Sequence, residues 1–155
     1  METVQLGVAT IRYVHADASS PYSLLEWTAP PGAASPPVHV HHRTEEGFYV
    51  LSGTYGFLVD ERRFELNPGS HVLVRRGHAH TFWNSGGEAA RCLIMLTPPG
   101  FAEYFRELAD GLARDQSDEA AMRVRRQLSS KYDIEVVGPP IEATKGRGVA
   151  APPPN

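Results

Sequence analysis

Short apolar and β-branched segments, separated by turns rich in proline and glycine, occupy the first hundred residues of the chain. No helical pattern stands between them, and the turns follow one another closely. This arrangement predicts about eight or nine strands in an antiparallel sandwich or barrel. The predicted strand segments are 3–15, 22–28, 38–42, 47–51, 54–59, 64–66, 72–74, 79–83 and 91–97.

The pattern becomes helical after Gly100. Apolar residues recur there at positions 101, 105, 108 and 112, with charged residues on the opposite face, which predicts an amphipathic helix. A second helix is predicted from Ser117 to Ser130, with Ser117 as its N-cap and acidic residues in its first turn. Its apolar stripe is thin, so we expect it to lie on the surface.

These elements predict one domain over residues 1–140. Its barrel core covers about residues 3–97, its helices about 100–131, and a short strand about 134–137. The segment 141–155 is rich in glycine, alanine and proline, and it is predicted to be a disordered tail. The fold class is therefore all-β, with one or two C-terminal α-helices.

Composition narrows the classes of function. The chain has 155 residues and a formal net charge of -3, without a basic stripe that would bind nucleic acid. Its longest apolar run, Cys92 to Leu96, is far shorter than the roughly 20 residues of a membrane span. We therefore expect a protein of the cytoplasm that binds neither nucleic acid nor membrane.

A single cysteine excludes an internal disulfide and thiolate clusters, which leaves histidine and carboxylate as metal ligands.

Four residues form the candidate metal site. His39 and His41 are two positions apart, so they point to the same face of a strand. Glu46 comes back from the start of the next strand, and His80 belongs to a later one. Three imidazoles and one carboxylate suit one divalent transition metal, namely Fe, Mn, Ni, Co or Cu, with Zn as a further candidate. An octahedral ion would keep two positions open for substrate.

The same alternation assigns residues to a substrate pocket. Parity from Glu46 places Phe48 and Val50 on the interior face, and parity from His80 places Phe82 there. Aromatic walls favour a flat or apolar organic substrate, although ordinary core packing explains such rings equally well. His78 shares parity with His80 and is a candidate substrate-binding residue, but Gly77 leaves the strand register open at that point.

The spacing of these residues resembles a known two-part motif. The first part has His39 and His41, then Glu46 after four residues and Gly53 after six more. The second part has Gly69, then Gly77 after seven residues, His80 after two and Asn84 after three. This array resembles the signature of the cupin family, which implies a jelly-roll barrel and a metal held by the quartet. Two positions depart from the motif: Gly32 lies seven residues before His39 instead of six, and Arg75 replaces the usual proline.

Two later segments extend the resemblance. Residues 97–108 and 131–140 look like the corresponding parts of the quercetinase-like bacterial cupins. The resemblance implies a metal-dependent oxygenase (dioxygenase) that acts on a phenolic, flavonol-like, polyketide-like or enolisable small molecule, with O2 as a candidate second substrate. It also implies that Glu46 serves as the general base and that the protein forms a homodimer. Two alternatives stay open: a metal-dependent isomerase, cyclase or decarboxylase that does not use O2, and a non-catalytic small-molecule sensor.

Overall fold

The computed structural model of the protein describes residues 1–141 and 150–152. Within these residues the chain forms eleven strands, one 3-10 turn and two α-helices. The strands are β1 (Thr3–Leu6), β2 (Ala9–His15), β3 (Ser23–Ala29), β4 (Pro37–His41), β5 (Glu45–Ser52), β6 (Tyr55–Val59), β7 (Arg62–Leu66), β8 (His71–Val74), β9 (His80–Asn84), β10 (Ala90–Thr97) and β11 (Ile134–Pro140). The 3-10 turn is Pro99–Phe101, and the helices are α1 (Ala102–Leu112) and α2 (Asp118–Tyr132).

The strands form two antiparallel sheets. One sheet has six strands in the order β1-β2-β3-β10-β5-β8, and the other has five in the order β11-β4-β9-β6-β7. Alternate side chains of each strand enter a common core, where Phe48, Phe57 and Tyr55 are completely buried. Burial of each such side chain stabilises the fold by about 1.5–3 kcal/mol. The all-β jelly roll with C-terminal helices is the predicted fold class, and the structure confirms it.

The N-terminal segment 3–15 was predicted as one strand, and this prediction is wrong. It forms a hairpin instead, in which Leu6 of β1 pairs with Ala9 of β2. Gly7 occupies the turn with a φ of 61°, in the left-handed region that a residue without a Cβ enters without strain. The β-branched pattern continues through this turn, so the pattern alone hides it.

The two helices pack against one another, α1 also packs against β1, and α2 also packs against β11. Ser117 caps α2 as predicted, because its hydroxyl accepts a hydrogen bond from the Ala120 amide at 3.2 Å. The helices are in close contact at Gly111 of α1, where an added Cβ would lie 2.6 Å from Val124 Cγ1 of α2. Only Ala120 and Val124 of α2 are buried, which agrees with its thin apolar stripe. No helix in the described ranges is long and apolar enough to span a membrane.

The chain returns to the barrel after α2. The predicted strand at 134–137 is present and extends to Pro140 as β11, which pairs with β4 and gives that strand a neighbour on each side. Most of the predicted tail, 142–149 and 153–155, lies outside the described residues. The structure does describe residues 150–152 of this segment. Ala150 lies beside Phe64 of β7, and its amide donates to the Arg63 carbonyl at 2.9 Å.

Candidate metal centre

Four side chains from three strands meet inside the barrel. One ligand atom from each of His39, His41, Glu46 and His80 lies within 4.8 Å of the others. All four residues are buried, with at most 6% of any one exposed. The quartet selected from the sequence is therefore one cluster, and it is sheltered from bulk water.

The ligands come from both sheets. His39 and His41 lie on β4, and His39 is directly paired across the strands with His80 of β9. These three imidazoles belong to the five-stranded sheet, whereas Glu46 lies on β5 of the six-stranded sheet. The cluster therefore spans the interior between the sheets, and its geometry depends on how the sheets pack.

Backbone carbonyls orient two of the imidazoles. The Nδ1–H of His39 donates to the Pro37 carbonyl at 2.7 Å, and the Nδ1–H of His80 donates to the His78 carbonyl at 3.0 Å. Each ring therefore directs Nε2 into the cluster. Metal-binding histidines typically make this kind of hydrogen bond with the nitrogen that does not bind the metal.

The contacts of His80 require a cation in the cluster. Its Nε2 lies 3.1 Å from Glu46 Oε2, while its Nδ1 already faces a carbonyl. A neutral imidazole has only one N–H, so it cannot donate to both acceptors. A proton on His80 or a metal ion between nitrogen and carboxylate would resolve this conflict.

His41 distinguishes a metal ion from a proton. Its Nε2 lies 3.4 Å from Glu46 Oε2, and neither of its ring nitrogens has a hydrogen-bond partner within the described part of the chain. An unsatisfied buried polar group costs about 1–3 kcal/mol. A proton on His80 leaves that cost in place, whereas a metal ion would bind His41 together with the other ligands. The residues present therefore fit a divalent transition ion.

The electrostatics of the cluster favour the protonation states that bind a metal, which are neutral imidazole and ionised carboxylate. Burial lowers the pKa of His39 to about 3, and the neighbouring His80 and His41 act in the same direction. Burial by itself would raise the pKa of Glu46, but the neighbouring imidazoles of His41 and His80 outweigh it and hold that pKa below its ordinary value. At neutral pH the cluster thus contains a neutral His39 and an anionic Glu46.

Aromatic side chains close the cavity beside the cluster. The cavity measures about 40 Å³, which is room for only about three water molecules. Phe101 lies over it with its ring centroid 4.4 Å from that of His41, and Tyr104 stacks on Phe101. Phe105 packs edge-on against Trp27 at 5.9 Å. The segment 99–132, which we call the helical roof, therefore covers the metal cluster.

The sequence pattern does not identify most of this wall. Phe101 and Phe105 fit the apolar stripe of a helix, and the pattern does not mark Trp27 or Tyr104 as pocket residues. The helical period shows that such a stripe faces something apolar, but it does not show which surface the stripe covers. Only the docking of the helices identifies these rings as the wall of the cavity.

The predicted substrate-binding residues separate into two groups. Phe82 lines the cavity, and its role in substrate binding stays a prediction. Phe48 and Val50 are completely buried and do not line it. Phe48 packs against Phe57 and Phe82, with ring centroids 5.0 Å and 4.9 Å away, which is the ordinary core packing that the sequence analysis left open.

His78 does not face the cavity, so its assignment as a substrate-binding residue requires correction. Its side chain is half exposed, and its Nδ1 lies 2.7 Å from Asp60 Oδ2. The physical reason is that β9 begins only at His80, after a turn in which Gly77 has a φ of 85°. Strand parity therefore does not extend back to position 78.

A larger cavity adjoins the first. It measures about 460 Å³ and lies between the N-terminal hairpin, the loop before β4 and the two helices. The two cavities have five wall residues in common, which are Leu6, Trp27, Pro36, Phe82 and Arg125. We call the larger one the outer cavity and the smaller one the inner cavity. The shared walls show that the two cavities are neighbours.

Comparisons with known proteins agree with this architecture. Residues 25–96 match the family model described as Cupin domain, and this region contains all four residues of the cluster. No curated protein matches the sequence at a significant level.

Three solved structures illustrate the likeness. The polyketide cyclase RemF from Streptomyces resistomycificus is 26% identical, with a TM-score of 0.54 over 63% of this chain and 76% of that one. The Cnp3 cupin domain from Schizosaccharomyces pombe is 19% identical, with a TM-score of 0.56 over 68% and 74% of the two chains. A putative sugar phosphate isomerase from Acidithiobacillus ferrooxidans is 29% identical, with a TM-score of 0.47 over 50% of this chain, and the match spans only 51% of that protein.

Proposed function

We propose that this protein, which contains a cupin domain with the jelly-roll fold, is a metal-dependent oxygenase of phenolic, polyketide-like or enolisable small molecules. One observation carries the proposal: three imidazoles and one carboxylate converge within 4.8 Å in a cavity with aromatic walls. The donor set supports the metal, and the walls support a flat apolar substrate.

The metal would be held by the four residues of the cluster, as His39 Nε2, His80 Nε2, one nitrogen of His41 and the carboxylate of Glu46. When bound, a divalent transition ion polarises a substrate oxygen, lowers the pKa of its hydroxyl and, if redox-active, allows reaction with O2. The ring contacts of Phe101 and Trp27 would orient a flat substrate and exclude water from this surface.

We assign the role of proton acceptor to Glu46. It is the one carboxylate among the described residues that line the inner cavity. A substrate hydroxyl directed into this cavity has no other anionic base beside it, so its proton would pass to a carboxylate oxygen of Glu46.

A second candidate is an enzyme that uses the same residues without O2, as a cyclase or isomerase. The likeness to the polyketide cyclase RemF, at 26% identity and with a TM-score above one half, supports it. Polarisation of a carbonyl and removal of a proton serve both reactions, so the cluster itself favours neither.

Metal analysis and oxygen uptake test the proposal. Protein purified under argon should contain about one Fe, Mn, Ni, Co or Cu per chain, and His41→Ala should lose it. His42→Ala is the matched control, because His42 is the next residue, is largely exposed and is paired with Glu135. Uptake of O2 with a flavonol or a polyketide phenol supports the oxygenase.

Conversion of the same phenol under argon would instead support the cyclase or isomerase. Zinc as the bound metal would also favour this second candidate, because zinc has no redox chemistry. Equal metal content in His41→Ala and wild type would contradict both reactions. The homodimer and the cytoplasmic location stay predictions.

A further inference from the structure

We propose that Arg125 determines substrate specificity by binding a carboxylate on an aromatic substrate whose hydroxyl or carbonyl oxygen enters the metal cluster. This inference rests on the proposed function and adds the charge of its substrate. The two cavities differ in size. The inner cavity, at about 40 Å³, is too small for a whole organic substrate, whereas the outer cavity, at about 460 Å³, has the size of a ligand pocket.

Arg125 lies where the two cavities meet. It belongs to α2, is partly buried and contributes to the walls of both cavities. Among the residues described for these walls, it is the only arginine or lysine. A substrate that extends from the outer cavity to the cluster would therefore pass this guanidinium.

The guanidinium is available to a ligand. Its polar neighbour is the Tyr104 hydroxyl, which is a neutral group, and no carboxylate of the described residues lies within 4 Å of it. Arg125 also lines a third groove, together with the carboxylates of Asp133 and Glu135. Asp133 is paired with Arg43, and Glu135 is paired with His42.

The acidic residue of the outer cavity is also distant. Asp118 lies seven residues earlier in α2, which corresponds to about 10 Å along a helix. Among the residues that the structure describes, this partly buried cation has no counter-ion, and an anionic ligand would offset the cost of its burial.

The surrounding walls indicate which anion. Trp27 and Phe82 present aromatic surface at the same junction, which suits an aromatic ring. One guanidinium matches one carboxylate with two parallel hydrogen bonds. A phosphate carries more charge and more acceptors than this single cation satisfies. The site therefore fits an aromatic carboxylate better than a phosphorylated compound.

The test compares two probes of the same ring system and nearly the same size, 1-hydroxy-2-naphthoate and its neutral amide, which lacks the negative charge and has an NH2 donor in place of one acceptor oxygen. Isothermal titration calorimetry measures both with the full-length chain loaded with Co²⁺. We expect wild type to prefer the carboxylate, and Arg125→Gln to weaken its binding by about 10- to 100-fold with the amide affinity unchanged. Arg125→Lys should retain part of the preference, since it keeps the charge but loses the planar fork.

Arg126→Gln is the matched control, because Arg126 is the next residue of α2 and lines neither cavity. It should bind both probes as wild type does, and circular dichroism should show that all three variants are folded. Equal binding of the two probes by wild type, no binding of either, or a preference retained in Arg125→Gln would overturn the inference.

The failure of this inference can be distinguished from failure of the proposed function. Titration with Co²⁺ alone, followed by its visible spectrum, reports whether the cluster holds a metal. A carboxylate preference that persists in metal-free protein and disappears in Arg125→Gln supports Arg125 even if the cluster binds no Co²⁺. Normal Co²⁺ binding without that preference overturns the role of Arg125 and leaves the metal site supported.

Discussion

The metal cluster and the helical roof above it are built in different ways. The cluster lies on β4, β5 and β9, where each strand has hydrogen-bonded neighbours and the four side chains are at most 6% exposed. The roof rests on one amphipathic helix and on a second helix that buries only Ala120 and Val124. The four candidate ligands thus lie on paired strands inside the core, whereas the segment that covers them is held by fewer buried side chains.

The largest expected effect is a loss of catalytic activity when Glu46 of the cluster is replaced. Glu46→Gln should lower kcat by about 10²- to 10⁴-fold, because the amide cannot accept the substrate proton. Metal content should fall less than activity, since His39, His41 and His80 remain. Steady-state kinetics and metal analysis of the same preparation measure both. Full activity in this variant would show that Glu46 is not the base.

Acid should destabilise the cluster in the metal-free protein. The pKa of His39 is about 3 when folded and about 6.5 when unfolded, so the unfolded chain takes up this proton first. The free energy of unfolding should therefore decrease as the pH falls from 6.5 towards 3. Glu46, whose pKa is held below 4.5, adds to the loss at the acid end.

Urea denaturation at several pH values measures this dependence. His39→Gln should flatten it, and His42→Gln, at an exposed position, should not. We expect acid to act on the cluster rather than on the roof. An equal slope of the free energy of unfolding against pH in wild type and His39→Gln would contradict this expectation.

A substitution at the contact between the two helices changes the helical roof without changing a residue of the cluster. Gly111→Ala would place a Cβ 2.6 Å from Val124 Cγ1, and such overpacking costs about 1–3 kcal/mol. We expect a lower Tm and a changed KM with the metal content unaffected. Gly100→Ala is the control, because a Cβ at Gly100 meets no atom within 4 Å. Loss of metal in Gly111→Ala would show that roof and cluster are not independent.

The smallest expected effect is at the start of α2. Ser117→Ala removes the hydroxyl that accepts from the Ala120 amide and should cost about 1 kcal/mol. Thermal unfolding measures it, with Ser130→Ala near the other end of the helix as the control. A Tm equal to that of wild type would mean that α2 adds nothing to global stability.

Local chemistry in the sequence was enough to predict most of the strands and the cluster. Period-two alternation placed His39 and His41 on one face, and the spacing of Glu46 and His80 completed the quartet. The same reasoning failed at Gly7 and Gly77, where a left-handed residue reverses the chain or breaks strand parity. It also could not distinguish a wall residue such as Phe82 from a core residue such as Phe48, because both have the same alternation.

The sequence by itself determined the four candidate ligands, because ligand type and strand parity are local properties and the spacing of all four residues resembles a two-part family motif. Only the tertiary structure decided that Glu46 and the three histidines come from opposite sheets and that Phe101 covers His41. It also decided that Arg125 of α2 reaches the inner cavity. The physical reason is that docking of sheets and helices depends on contacts between residues far apart in the chain, which no local period encodes.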